Sequence, residues 1–313
     1  MQENREEKAV VIIGSGIMGR DIAAIFVAGG WTTQLVARDQ ARWPDARQLL
    51  AASARQLGNH DDAKVVFRAS IKDIDWQHVQ AVLEVVPEQL ALKQSLFAEL
   101  DAAAPAHVVF GSNSSGIRIT DIAQGLPGAG RMANTHFFQP AHLVPLVEIA
   151  KGEATTQATM DRLYDIFASL GRAPVRVNRD LPGFLANRIQ HALMREAFAV
   201  IDSGLASADD VDLAVQFGFG FRYAAAGPML LKEFAGFDTQ HAAATAIYPS
   251  LSNDTAPGKT LAGLVQQGRF GMKAKKGFRD WTDEAIAEER TRYEAALVKA
   301  AAVLGPPKIK RST

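Results

Sequence analysis

Near its start the chain reads Ala9-Val10-Val11-Ile12-Ile13-Gly14-Ser15-Gly16-Ile17-Met18-Gly19, an apolar run followed at once by three closely spaced glycines. Continuous apolar residues that are mostly β-branched predict a short strand buried on both faces, as in a parallel sheet. The glycines have the spacing G-x-G-x-x-G. That spacing is typical of a dinucleotide-binding turn when a strand precedes it and a helix follows.

The residues after the glycines supply this context. Apolar side chains recur at helical spacing over Ile17–Ala28, and Gly29-Gly30 ends the pattern. Thr32–Val36 predicts a second strand, so the stretch is predicted to form a βαβ unit. In such a unit the first glycine allows the tight turn, the second lets a pyrophosphate approach the backbone, and the third lets the helix pack on the sheet. The helix N-terminus attracts the anion. The predicted cofactor-binding turn is Gly14, Gly16, Ile17, Met18 and Gly19.

The end of the second strand bears on the choice of cofactor. An NAD-binding domain usually has an acidic residue there, which holds the ribose hydroxyls. This chain has Ala37 followed by Arg38 and Asp39. A small residue and a guanidinium leave room for a 2′-phosphate and offer it a cationic partner, so NADP is favoured. If the strand ends two residues later, Asp39 takes the acidic position and the cofactor is NAD.

Strand and helix patterns continue to alternate until the Pro182-Gly183 pair, after which helical patterns dominate. The predicted fold is α/β: a Rossmann-type, mostly parallel sheet domain over residues 1–182, followed by an all-α domain over residues 183–313. The further predicted elements are strands at 81–86, 107–110 and 174–177, a helix at 90–102 and a long helix at 184–203.

Composition and charge exclude several classes of protein. The 313 residues contain 34 Lys plus Arg against 34 Asp plus Glu, so no net charge attracts a nucleic acid or an anionic membrane. The chain has no cysteine, so disulfides and thiolate chemistry are excluded. The polar start lacks a secretory pattern, and no apolar run reaches the roughly 20 residues of a membrane span. We expect a soluble, cytoplasmic protein that acts on a small molecule without a metal.

Three polar clusters on apolar backgrounds are candidates for chemistry. Taken singly, each has a plainer explanation: a turn, a satisfied core histidine, or a carboxylate paired with an arginine. The clusters are Gly111-Ser112-Asn113-Ser114-Ser115, then Asn134-Thr135-His136-Phe137-Phe138-Gln139-Pro140 with Pro145-Leu146-Val147-Glu148, and finally Asp180-Leu181-Pro182-Gly183-Phe184-Leu185-Ala186-Asn187-Arg188.

Together with the glycine turn, these clusters resemble the 3-hydroxyacyl-CoA dehydrogenase superfamily. The resemblance runs from the glycine turn to Lys276-Gly277-Phe278-Arg279-Asp280-Trp281, with several motifs in the family's order. It implies a Rossmann domain and an all-helical domain that dimerises, with the active site in the cleft between them, so a homodimer is expected. One departure is Gln139, where many relatives have Asn before the proline of the histidine motif.

The resemblance assigns roles to particular residues. His136 matches the catalytic histidine, Glu148 its paired glutamate, Ser115 the substrate-polarising serine and Asn187 the family's asparagine. These residue types suit hydride transfer at a carbinol carbon, because an imidazole can take the hydroxyl proton and a carboxylate can fix its tautomer. A hydroxyl and an amide can hydrogen-bond the substrate oxygen. The residues that match a segment near the nicotinamide ribose are Glu88 and Lys93.

Two features bear on the substrate. CoA-using relatives carry a long, lysine-rich helical insertion after the second strand. Here the corresponding segment, residues 40–67, is short, and Lys64 is its single lysine. Residues 218–223 resemble the branch of the family that acts on small hydroxy acids, which includes L-gulonate and carnitine dehydrogenases. Within them, Arg222 is either a bidentate partner for a substrate carboxylate or a solvated side chain.

Three functions stay open at the level of the sequence. The first is an NAD(P)-dependent oxidoreductase that interconverts a small 3-hydroxy acid and its ketone, with His136 as general acid and base. The second is a 3-hydroxyacyl-CoA dehydrogenase, for example of 3-hydroxybutyryl-CoA, that grips CoA with other residues. The third is a non-catalytic dinucleotide-binding or crystallin-like protein. The complete set of His136, Glu148 and Asn187 argues against the third.

Overall fold

The computed structural model describes residues 7–59 and 61–305, which fall into two compact units. The first unit runs to Leu185, and the second is Ala186–Gly305. The first unit ends in the turn that contains the Pro182-Gly183 pair, beside which the sequence prediction placed its domain boundary.

An eight-stranded sheet forms the centre of the first unit. Its strands are β1 Ala9–Ile13, β2 Thr32–Val36, β3 Val65–Arg68, β4 Val79–Glu84, β5 Val109–Ser112, β6 Met132–Phe137, β7 Leu146–Ala150 and β8 Ala173–Val177. They lie in the order β3-β2-β1-β4-β5-β6-β7-β8, and every neighbouring pair is parallel except β6 with β7. Because β1 lies between β2 and β4, the strand order reverses there, and in such sheets ligands bind at the carboxyl edge of this point.

Helices of the first unit pack on both faces of the sheet. The alternate residues of β1 show the two faces: Val10 and Ile12 belong to one buried cluster, and Val11 and Ile13 belong to the other. Both faces of a central parallel strand are therefore apolar, which explains its uninterrupted apolar sequence. The helices are α1 Ile17–Ala28, α2 Trp43–Gln56, α3 Leu90–Ala103, α4 Ile119–Ile122 and α5 Gln157–Ser169.

The first βαβ unit has the bounds that the sequence predicts for both strands and the helix between them. Later elements differ by a few residues for identifiable reasons. Strand β4 ends at Glu84, two residues before the predicted end, because the side chain of Glu84 accepts the backbone N–H of Val86 at 2.6 Å and turns the chain. The helix predicted from residue 184 begins at Ala186, since Phe184 has a φ of 44°, outside the helical region.

The second unit is helical, so the predicted combination of a Rossmann-type domain with an all-α domain is confirmed. Among its residues, all of which are described, Gly277 and Ile286 are the ones that are fully buried. In the described part of the chain, no helix combines the length and the apolar content that crossing a membrane would require. The helices are α6 Ala186–Asp202, α7 Ala208–Ala214, α8 Gly220–Tyr223, α9 Pro228–Ala235, α10 Phe237–Ile247, α11 Lys259–Gln266 and α12 Asp283–Leu304.

Candidate active site

The glycine turn leaves the carboxyl end of β1 and leads directly into α1. Gly14 has a φ of 115°, which side chains rarely adopt, and its N–H donates to the carbonyl of Val36 at 3.0 Å. A Cβ at Gly19 would collide with the carbonyl of Gly14, so this position requires glycine for packing. A Cβ at Gly16, in contrast, would meet no atom within 4 Å. The open space before Gly16 and the exposed start of α1 fit the approach of a dinucleotide pyrophosphate.

The residues after β2 have the arrangement that the sequence predicts. Ala37 follows the last strand residue, is buried, and accepts a hydrogen bond from the indole of Trp43 at 2.9 Å. Arg38 is exposed. The carboxylate of Asp39 caps the next turn, where it accepts the N–H of Ala41 at 3.2 Å and lies 3.2 Å from the guanidinium of Arg42. Asp39 therefore already has local partners, whereas Arg38 extends into solvent.

His136 and Glu148 face each other across the antiparallel pair β6–β7. They are cross-strand partners, and Nδ1 of His136 lies 2.8 Å from Oε2 of Glu148. Both side chains are buried, and the second carboxylate oxygen accepts the N–H of Leu185 at 3.0 Å. A carboxylate at Nδ1 fixes the imidazole tautomer and stabilises the imidazolium form. Nε2 is therefore the nitrogen through which His136 can exchange a proton with a ligand.

Aromatic side chains hold the ring of His136. The rings of Phe138 and Phe184 lie 4.6 and 5.7 Å from it, measured between centroids. The backbone N–H of Phe137 donates to the side chain of Asn113 at 2.9 Å, which ties the end of β6 to the serine-rich loop after β5. The residues around His136 are thus fixed before any ligand arrives.

The loop that carries Ser115 is held by Glu88. One oxygen of this carboxylate accepts hydrogen bonds from the hydroxyl of Ser114 and from the backbone N–H groups of Gly116 and Ile117, the latter two at 3.0 and 3.3 Å. Partial burial acts to raise the pKa of Glu88, but these hydrogen bonds and the charge of Lys93 outweigh it, and the net pKa is lowered. Ser115 itself is exposed, so its hydroxyl can reach a ligand.

Beneath this loop lies a buried ion pair that includes Lys93, a predicted cofactor-binding residue. Its ammonium group is 2.7 Å from Glu84 and 3.4 Å from Glu88, and the side chain is only 1 % exposed. The other oxygen of Glu84 accepts the hydroxyl of Ser112 at 2.7 Å. The structure therefore places Lys93 as a support for the two carboxylates, and its contact with a cofactor stays a prediction.

Sequence reasoning missed Glu84, although it left a signal. A glutamate that ends an otherwise apolar strand, with a lysine nine positions later in the next helix, is costly to bury unless the two pair. The sequence places Glu84 inside a predicted strand at 81–86 and assigns no role to its side chain.

The remaining predicted residues belong to the second unit. Asn187 lies in the first turn of α6 and is half-buried. Arg222 lies in α8 and is exposed. The first unit thus carries the glycine turn after β1, the loop of Ser115 after β5, and His136 and Glu148 on β6 and β7. The roles of Asn187 and Arg222 stay predictions.

Comparison with known proteins assigns the chain to a family. Residues 9–181 match the model of the 3-hydroxyacyl-CoA dehydrogenase NAD binding domain, and residues 183–281 match that of the 3-hydroxyacyl-CoA dehydrogenase C-terminal domain. The chain belongs to the 3-hydroxyacyl-CoA dehydrogenase family. The family resemblance seen in the sequence is therefore confirmed, as is the prediction of an NAD-dependent dehydrogenase that acts on a CH–OH group.

Within the 3-hydroxyacyl-CoA dehydrogenase family, several relatives resemble most of the chain. The 5-formyl-3-hydroxy-2-methylpyridine 4-carboxylate 5-dehydrogenase of Mesorhizobium japonicum is 32 % identical over 92 % of this chain and 96 % of its own. The L-carnitine dehydrogenase of Oceanobacillus iheyensis is 35 % identical over 73 % of this chain and 76 % of its own. A crystal structure of the former type of dehydrogenase, described as an NAD⁺-dependent dismutase, has a TM-score of 0.89 at 28 % identity and covers 96 % of this chain and 99 % of its own.

Proposed function

We propose that this member of the family interconverts the secondary alcohol of a small 3-hydroxy acid, or a related small carboxylate, and its ketone. The observation that carries the proposal is the buried pair of His136 and Glu148, joined at 2.8 Å beside the carboxyl edge of a dinucleotide-binding sheet. A bound nicotinamide cofactor supplies the hydride acceptor or donor. The protein then has to move one proton and to stabilise charge on one oxygen.

The buried pair suits the proton transfer. In the oxidation direction Nε2 of His136 takes the hydroxyl proton of the substrate, and the carboxylate of Glu148 stabilises the imidazolium that forms. In the reduction direction the same nitrogen returns the proton to the oxygen. The exposed hydroxyl of Ser115 is proposed to hydrogen-bond that oxygen, where negative charge develops as hydride arrives. Asn187 is proposed as a second donor to it.

A small substrate is favoured over a CoA thioester by the segment after β2. Binding of the CoA phosphates calls for free cationic side chains. Here two of the arginines are already paired: Arg42 with Asp39 at 3.2 Å, and Arg47 with Asp62 at 3.2 Å. The guanidinium of Arg47 also lies over the ring of Phe67. The competing proposal is a 3-hydroxyacyl-CoA dehydrogenase, which the name of the family favours. It would require cationic side chains from another segment to bind the CoA phosphates.

The test is a survey of substrates with purified protein. Free 3-keto acids of four to six carbons and acetoacetyl-CoA are offered with NADH and with NADPH, and oxidation of the cofactor is followed at 340 nm. We expect turnover of free keto acids and little or none of the thioester. Turnover confined to acetoacetyl-CoA would replace the proposal by its competitor. No turnover of either would contradict both.

Arg222 is the proposed partner of the substrate carboxylate. It is exposed, and a guanidinium can bind a carboxylate with two parallel hydrogen bonds. Arg222→Leu should raise KM for the keto acid about 10-fold or more with a smaller effect on kcat. Arg290→Leu, at an exposed position of α12, is the matched control. Equal KM values in the two variants would show that Arg222 does not bind substrate.

The first unit matches an NAD binding domain. We propose that this protein also accepts NADP and prefers it to NAD. The support is Ala37 in place of an acidic residue, the free guanidinium of Arg38, and the local pairing of Asp39. Arg38→Asp should shift the ratio of kcat/KM values toward NAD by roughly 10-fold, as one charge-assisted pair with a phosphate is lost. Arg55→Asp, exposed in α2, should leave the ratio unchanged. Identical ratios in both variants would refute the preference.

A homodimer is proposed from the surface of the second unit, and the cytoplasmic location stays a prediction from the sequence. Large apolar side chains are exposed along α8 to α10, a pattern that on soluble proteins marks an interaction surface. The most exposed are Phe221, Met229, Phe234 and Phe237. A second copy of the chain is the proposed occupant, in line with the family's helical domain.

A further inference from the structure

A second buried histidine lies near the site and has no part in the proton transfer. His142 is in the connection between β6 and β7, six positions after His136, and its side chain is almost fully buried. The neighbouring Ala141 belongs to the same buried cluster as Ile22 and Phe26 of α1. A polar ring at the edge of an apolar cluster requires partners.

Both ring nitrogens of His142 face such partners on two different helices. Nε2 lies 2.8 Å from Oε1 of Gln56, the last residue of α2. Nδ1 lies 3.2 Å from Oδ2 of Asp21 in α1, an ion-pair distance without hydrogen-bond alignment. The remaining oxygen of Asp21 accepts the hydroxyl of Ser53 at 3.1 Å. The backbone carbonyl of His142 accepts a hydrogen bond from the guanidinium of Arg172 at 3.0 Å, which gives the loop a further contact.

The buried carboxylate explains why a histidine suits this position. Asp21 lies two residues after Gly19, on a helix that is otherwise apolar where it is buried. A carboxylate removed from water is stable when a cation or several donors face it. His142 is the group that the described ion pairs place opposite this carboxylate, with Nδ1 3.2 Å from Oδ2. An imidazolium would serve Asp21 and Gln56 together, whereas a neutral ring would serve both only if the Gln56 amide turned over.

This cluster joins two parts of the candidate site. Asp21 is in the helix that begins at the glycine turn, and Gln56 ends the helix that packs against it. His142 is in the connection whose two strands carry His136 and Glu148. We infer that His142 is a positioning residue: its pairs with Asp21 and Gln56 fix His136 and Glu148 relative to the cofactor-binding turn. The expected effect of His142 on catalysis rests on the proposed function. Its expected effect on the connection between β6 and β7 rests on geometry alone.

The variant must separate positioning from stability. His142→Phe alone leaves the carboxylate of Asp21 buried without its partner ring, which is destabilising. The double variant Asp21→Asn/His142→Phe removes the carboxylate together with the imidazole, keeps an acceptor for Ser53, and fills the space of the ring. It should therefore fold with a thermal midpoint close to that of the wild type. The polar contacts that join the β6–β7 connection to α1 and α2 are absent from it. His107→Phe, which removes the hydrogen bond from a histidine ring to Val79 elsewhere in the sheet, is the matched control.

Hydrogen exchange tests the geometry without any substrate. In the double variant, peptides covering residues 138–145 should exchange faster than in the wild type, because the hydrogen bonds of Leu143 and Val144 to Pro140 lose their support. Peptides covering β1 should be unchanged. Wild-type exchange across residues 138–145 would overturn the inference, whether or not the protein turns over a substrate. Faster exchange in a protein that turned over no substrate would mean that only the proposed function had failed.

Catalysis provides the second readout. With an active wild type, the double variant should lose roughly 10-fold or more in kcat, since small misplacements of catalytic groups have large effects on rate. The primary deuterium isotope effect with 4-deuterated reduced cofactor should rise, as hydride transfer becomes slower than product release. A smaller amount of folded enzyme would lower the rate without changing KM or the isotope effect. Wild-type kcat and isotope effect in a stable double variant would overturn the inference.

Discussion

The two units of this dehydrogenase differ in how far their phenylalanine side chains are exposed. In the first unit Phe97, Phe110 and Phe167 are fully buried between the sheet and its helices. In the second unit Phe221 is 73 % exposed and Phe234 is 74 % exposed. The first unit closes its own core, whereas the second presents apolar surface that a single copy of the chain leaves in water.

Polar side chains show a related contrast. The first unit buries carboxylates at Glu84 and Glu148 and gives each a named partner within 2.8 Å. The predicted polar groups of the second unit, Asn187 and Arg222, are half-buried and exposed. Buried, paired groups keep their geometry in the absence of ligand, while exposed ones acquire partners on binding. We therefore expect substitutions in the first unit to affect chemistry and folding, and those in the second to affect association and substrate affinity.

The largest expected effect is at His136. His136→Gln keeps an N–H that can donate to Glu148 but removes the base, so kcat should fall by roughly 10²–10⁴. Binding of NADH or NADPH, followed by fluorescence, should stay within a factor of two. His78→Gln, on an exposed histidine of the same unit, is the control and should keep full activity. Near-normal turnover of His136→Gln would show that another group moves the proton.

The next largest effect concerns the closed core. Phe97→Ala removes a fully buried ring that packs edge-on against Phe110 and should lower the free energy of unfolding by about 3–5 kcal/mol. Phe270→Ala, at a half-exposed ring of the second unit, should lower it by less than about 1 kcal/mol. Denaturant unfolding at fixed protein concentration measures both. Equal losses would mean that the two units do not differ in the way described.

Association should respond in the opposite order. Phe234→Glu places a charge on the exposed apolar surface of α9 and should weaken the proposed homodimer by roughly 30-fold or more, if this ring is one of its central contacts. Sedimentation velocity over a dilution series gives the dissociation constant. Leu49→Glu, at an exposed leucine of the first unit, should leave the dimer intact. A monomeric wild type, or dissociation by Leu49→Glu alone, would contradict the proposed surface.

The smallest effect is the pH dependence contributed by Glu88. Its pKa is lowered in the folded protein, so its carboxylate stabilises the fold above the ordinary value of 4.5, and this contribution is lost as pH falls through the lower folded value. Glu88→Gln should therefore reduce the thermal midpoint at pH 7 by a few degrees, and the difference should vanish in acid. Glu288→Gln, exposed in α12, is the matched removal of charge. A difference that stayed unchanged from pH 7 to the most acidic pH at which both proteins still fold would exclude the carboxylate as its source.

The residues that the sequence identified best are those with local signals. The bounds of β1, α1 and β2 follow from apolar runs punctuated by glycines, because each signal lies within a few residues of the element it defines. Strands β6 and β7 were not predicted as strands. They mix polar residues such as Asn134, Thr135 and Glu148 with apolar ones, and the two strands pair with each other in antiparallel orientation. A pattern that depends on a partner strand is weak in a single sequence.

The candidate site divides in the same manner. His136, Glu148 and Ser115 were identified from clusters of residue types in the order of a known family. Glu84 and Asp21 were not, since each is a lone carboxylate in an apolar stretch whose partner lies in another element. The pairing of Glu84 with Lys93 and of Asp21 with His142 becomes visible only in the folded sheet and its helices.

The order of residues along the chain by itself determined the first βαβ unit, the glycine turn within it, the all-helical second part and the family. These depend on the properties of neighbouring residues, which the chain carries before it folds. The tertiary structure alone decided that Nδ1 of His136 lies 2.8 Å from Glu148, that Lys93 is a buried support, and that His142, between β6 and β7, contacts Asp21 of α1 and Gln56 of α2. Distances between such groups depend on strand register and helix packing, because burial makes an unpaired charge costly and so selects the arrangement in which each one finds a partner.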